Sequence, residues 1–102
     1  MSNRSHDEAM VELYRSNPLL ALRVINGILA DGDQAELMTV LRRLAHAAGG
    51  MQAVAEQARL KPTQLARTLS PKGNPPLSSL TAILKAMGLR LTVQPLPPRL
   101  HT

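Results

Sequence analysis

Residues 51–73 read MQAVAEQARLKPTQLARTLSPKG, and the fold turns on this stretch. Met51, Val54, Ala55 and Ala58 recur at i, i+3, i+4 and i+7, which makes one face of a short helix apolar. Pro62 then follows Arg59-Leu60-Lys61. With no backbone N–H and a fixed φ, it suits the first turn of a new helix. That second helix turns Leu65 and Leu69 inward and leaves Lys61, Thr63, Ala66 and Arg67 on another face. Ala55 falls where the two helices cross, and only a small side chain permits close approach there. Two helices joined by so short a turn form a helix-turn-helix, whose second helix can enter the major groove of DNA.

Upstream of the pair, Ser5-His6-Asp7-Glu8 reads as a capping box. It opens a helix with Met10, Leu13 and Tyr14 on one face, ending before Asn17. Asn17-Pro18 starts a second helix with a cap residue and a proline at its first position. Leu19, Leu20, Leu22, Val24, Ile25, Ile28 and Leu29 make that helix apolar over most of its circumference. It is therefore expected to be the most buried helix, or else to lie at a dimer interface. Asp31-Gly32 stops it, and Asp33 with Glu36 caps a third helix whose inner stripe is Leu37, Val40, Leu41, Leu44 and Ala48. Gly49-Gly50 ends it.

Downstream, Ser70-Pro71-Lys72-Gly73-Asn74-Pro75-Pro76 forbids a helix. The next helix carries Leu77, Leu80, Ile83, Leu84 and Met87 inward and stops at Gly88, which fits the left-handed position beyond a helix end. The period then changes: Leu89, Leu91 and Val93 alternate with Arg90, Thr92 and Gln94, predicting a short β-strand that Pro95 ends. Its partner would be the same strand of a second subunit or the N-terminal segment. The expected architecture is an all-α small helical bundle with this one C-terminal strand. Within one domain, 1–48 form the N-terminal helices, 49–95 the helix-turn-helix region and 96–102 a flexible tail.

Composition narrows the function. The chain has 102 residues, enough for one modest core, and 44% of them are hydrophobic. Phe and Trp are absent and Tyr14 is the only aromatic residue, so aliphatic side chains must fill that core. With no Cys, thiolate metal sites, disulfides and cysteine nucleophiles are excluded. His6, His46 and His101 lie far apart with no ligand spacing, and Asp31 and Asp33 flank a turn glycine. No enzymatic activity, metal or cofactor is therefore expected. No apolar run is long enough to span a bilayer, and the polar N-terminus does not resemble a secretory signal, so the expected location is cytoplasmic.

The net charge of +5 is unevenly spread. Residues 1–58 hold five basic and seven acidic side chains, a balance of −2, whereas residues 59–102 hold seven basic ones and no acid. A polyanion suits the second half and a different partner the first. Without aromatics in the basic half, single-stranded RNA held by stacking fits poorly.

The run from Gly49 to Pro95, GGMQAVAEQARLKPTQLARTLSPKGNPPLSSLTAILKAMGLRLTVQP, resembles the lambda-repressor-like helix-turn-helix domain. Within that group it resembles the HigA-like antidotes of addiction modules, the antitoxins of type II toxin–antitoxin systems. Gly49-Gly50-Met51, Ser70-Pro71-Lys72-Gly73-Asn74-Pro75 and Ala86-Met87-Gly88-Leu89 carry the likeness. It implies a homodimeric repressor that binds its own operator DNA and neutralises a small toxin. Since small ribonuclease toxins tend to be basic, the acidic N-terminal half is the expected toxin surface. A phage-type regulator without a toxin and a protein-interaction module on the same scaffold are the alternatives. Two positions depart from the pattern. Arg59 stands where the turn usually has glycine at positive φ, and Thr68 where an apolar residue is preferred.

On this reading Arg67 pairs with guanine through O6 and N7, and Gln64 with adenine through N6 and N7. Thr63 shares the exposed start of their helix. Gln52 meets a phosphate at the N-terminus of the first helix. Lys61, Ser70 and Lys72 anchor phosphates and set affinity and salt dependence without reading sequence. Lys85 and Arg90 read as solvated charge.

Overall fold

Prolines, glycines and aspartates set most of the helix ends of this chain. A computed structural model describes residues 3–98, with side chains from residue 6 onward. Within it the helices are α1 (Asn3–Ser16), α2 (Pro18–Asp31), α3 (Gln34–Ala47), α4 (Met51–Ala58), α5 (Pro62–Thr68) and α6 (Leu77–Ala86). Asp33 caps α3 as expected, its Oδ1 accepting the Glu36 N–H at 2.8 Å. Asn17 precedes α2 without a side-chain cap bond. Helix α1 already begins at Asn3, so Ser5 lies inside it and is not its cap; the Ser5 side chain lies outside the described residues. Gly88 has φ +79°, the left-handed exit foreseen for α6.

Helix α3 is the hub of the N-terminal half and packs against α1, α2 and α4. Its Met38, Val40, Leu41 and Ala45 are buried. Helix α4 plays the same part for the C-terminal half, touching α3, α5 and α6. A helix of eight residues does this because Val54, Ala55 and Ala58 are small enough for neighbours to approach on several sides. Ala55 is fully buried, as its place at the crossing demanded.

Two larger expectations also fail. Helix α2 is not the most buried helix: only Ala21 and Ile25 are buried, while Leu19 is 65% and Leu29 50% exposed. Helices α1 and α3 pack against one side of it, and Leu19 and Leu29 stay exposed among the described residues.

The C-terminal β-strand is absent as well. Leu89 and Leu91 are half-buried against the core and Arg90 and Thr92 point to solvent, so the alternation survives as an extended segment. A strand needs a ladder partner, and the described residues contain no second strand. The N-terminal segment, one partner considered, is helical from Asn3. Val93, which the pattern points inward, is 98% exposed. Residues 96–98 are exposed and irregular, and the rest of the expected tail lies outside the described residues.

Candidate nucleic-acid interface

The α4–α5 connection is built by local chemistry. At the end of α4 the Leu60 N–H donates to the Ala55 carbonyl at 2.8 Å and the Arg59 N–H to Glu56 at 3.1 Å. This is the bonding of a Schellman stop, which requires a left-handed residue. Arg59 supplies it with φ 61° and ψ 41°. Lys61 then precedes Pro62, the first residue of α5, and its carbonyl accepts from Leu65 at 2.9 Å.

Leu65 and Leu69 are both fully buried and fix the roll of α5. Thr68 is half-buried beside them, so Leu69 fills the inward place despite the polar residue before it. At 100° per residue, Thr63, Gln64 and Arg67 then fall within one arc opposite the two leucines. All three are exposed, as is Lys61 at the helix start.

The loop after α5 brings Arg67, Ser70 and Lys72 around one shallow depression with Gly73, Asn74 and Pro75. Gln52 lines a separate concavity with Ala48, Gly49 and Gln57. Ser70 commits its hydroxyl proton to the Arg67 carbonyl at 2.8 Å, whereas Lys72 is exposed.

Helix α3 holds this loop from behind. Gln34 Nε2 donates to the Gly73 carbonyl at 2.6 Å and to Asn74 Oδ1 at 3.2 Å, and Arg42 donates to the Leu69 carbonyl at 3.3 Å. Gly73 is irreplaceable by packing alone, since a Cβ there would sit 1.9 Å from the Thr68 carbonyl oxygen. Gln34 and Arg42 escaped the sequence reading because their partners lie 39 and 27 residues away. Gly73 was visible only as one breaker among prolines.

The charges of the two halves are used differently. Among the described residues the ion pairs are Glu12–Arg15 and Asp7–Arg43, both N-terminal. The hydrogen bond from Arg43 holds the Asp7 carboxyl below its ordinary range, against an opposing push from burial. Within the same residues, the side chains of Arg59, Lys61, Arg67 and Lys72 make no hydrogen bond or ion pair. No group of three His, Asp or Glu residues is placed to hold a metal ion, again among the described residues. No helix there is long and apolar enough to cross a membrane.

What the geometry offers is a short helix that shows donors outward beside unpartnered cations, on a small helical scaffold. The chain matches the family "Probable addiction module antidote protein" over residues 7–95 and belongs to it. No curated protein and no solved structure matches it significantly.

Proposed function

We propose that this antidote is a sequence-specific DNA-binding repressor of its own operon, HigA-like, with α4 and α5 as a lambda-repressor-like helix-turn-helix. It acts by binding, without catalysis, on cytoplasmic DNA, and it neutralises the small toxin of its module. The observation that carries the DNA reading is the α5 surface. Thr63, Gln64 and Arg67 face outward from buried Leu65 and Leu69, next to cations that make no ion pair among the described residues. Arg67 and Gln64 read bases, and Lys61 and Lys72 fix the helix on the phosphates. Gln52, at the start of α4, takes a phosphate of its own. Ser70 contributes only if its bond to the Arg67 carbonyl opens.

The protein works as a homodimer, which places two recognition helices on a two-fold operator. The exposed leucines of α2, namely Leu19, Leu22 and Leu29, support a self-association surface. Exposed Glu8 and Glu12 on α1 support toxin contacts on the N-terminal half.

The deciding experiment is binding to DNA from immediately upstream of the reading frame, against scrambled DNA of equal length, at two salt concentrations. A preference of ~10³-fold or more for the upstream fragment is expected. Weak, steeply salt-dependent binding to both fragments would reduce the basic half to a nonspecific phosphate attractor.

A further inference from the structure

Arg59 is the one non-glycine residue with positive φ among the described residues. In that conformation a Cβ crowds the carbonyl oxygen, which is why helices so often end on glycine. Nothing in the fold calls for arginine here. The side chain is exposed, and among the described residues its guanidinium has neither a hydrogen bond nor an ion pair. The chain thus keeps a strained arginine where its backbone asks for glycine. The helix stop holds this strain, and residues held in such a conformation cluster at functional sites.

We infer that the Arg59 guanidinium binds a DNA phosphate at the edge of the α5 face, so that the turn itself belongs to the interface; this assignment rests on the DNA-binding reading above. Arg59 precedes Lys61 by two residues, a span of at most about 7 Å, within reach of a side chain as long as arginine's. It is the first residue of the acid-free stretch, and the carboxylate nearest before it in sequence, Glu56, is exposed and unpaired with it. Its planar fork matches phosphate oxygens better than an ammonium does. Standing in the turn ahead of α5, it contacts the backbone of the duplex and carries no sequence information.

The test compares wild type with R59G, R59Q and R59K by thermal melting and by titration of the upstream and scrambled duplexes over a range of salt. R59G should melt about 5 °C higher, because glycine relieves the strained turn. It should nevertheless bind both duplexes about tenfold more weakly, with the slope of log affinity against log salt reduced by about one. R59Q should lose the same affinity without the gain in melting temperature, and R59K should keep most of the binding. A more stable R59G, together with R59Q, that binds both duplexes with unchanged affinity and slope would overturn the assignment. If wild type shows no preference for the upstream duplex, the repressor reading fails. The contact is still decided in that case, because a phosphate ligand must also show on scrambled DNA.

Discussion

The two halves of this protein handle charge in opposite ways. In α1–α3, Arg15 and Arg43 are each held by a carboxylate, and Arg42 by a backbone carbonyl. From Arg59 onward there is no carboxylate in the chain, and the cations of the turn, α5 and its loop stand in solvent. In the first half Arg43 ties α3 to α1 and Arg42 ties α3 to the end of α5, whereas Arg15 is paired within α1 and Arg23 is exposed with no partner among the described residues. In the second half the side chains of Arg59, Lys61, Arg67 and Lys72 make no hydrogen bond or ion pair among the described residues. A cation without a partner is informative where several stand together, as around α5, and not where it stands alone, as Arg23 does on α2.

Changes that touch both halves should cost most. Replacing Gly73 by alanine forces a Cβ against the Thr68 carbonyl and pushes the loop off Gln34. A loss of about 3 kcal/mol in unfolding free energy is expected, read as a fall of roughly 15 °C in melting temperature. Arg67→Ala should sharpen the contrast: about 2 kcal/mol of operator binding lost in a duplex titration, with the melting temperature unmoved. The same change at Arg23, exposed on α2, should alter neither quantity. Equal losses at the two positions would erase the distinction between the halves.

Reversing Glu8 and Glu12 to lysine should weaken capture of the toxin by roughly tenfold, chiefly through the association rate, and leave operator binding intact. The smallest measurable loss belongs to Asp7→Asn. Its carboxylate is 44% exposed, so solvent screens the pair with Arg43 and the loss at neutral pH stays under ~1 kcal/mol. Because the folded-state value is lowered, the contribution is complete above the ordinary value of 3.8 and disappears as pH falls through the folded one. Melting curves of wild type and variant should thus differ at pH 7 and converge in acid.

What could be read from the sequence was what neighbours in sequence decide. Pro18 and Pro62 begin helices, Asp33 caps one, Gly88 leaves one left-handed, and Arg59 carries the turn that glycine usually makes. Each follows from bonds made within a few residues. Two local readings failed, Ser5 lying inside α1 and Asn17 making no cap bond, and the larger failures needed distant partners. The leucines of α2 gave the right periodicity but not the number of neighbours available to cover them, and the alternation after Leu89 was that of a strand with nothing to pair with. The outward trio of α5 could be read because Leu65 and Leu69 fix the roll of the helix. The clamp from Gln34 and Arg42 could not, because neither residue carries a local signal of its target.

That clamp also decides which parts of the molecule open together. Gln34 and Arg42 both belong to α3, yet they hold carbonyls at Gly73 and Leu69, so the loop between α5 and α6 is tied to a helix outside its own half. In amide hydrogen exchange, protection should therefore group by these ties rather than by chain order. Cutting the tie from α3 to the loop, as Gln34→Ala would, should speed exchange at Gly73, whose N–H donates to the Ser70 carbonyl at 2.8 Å, before it does so in α6.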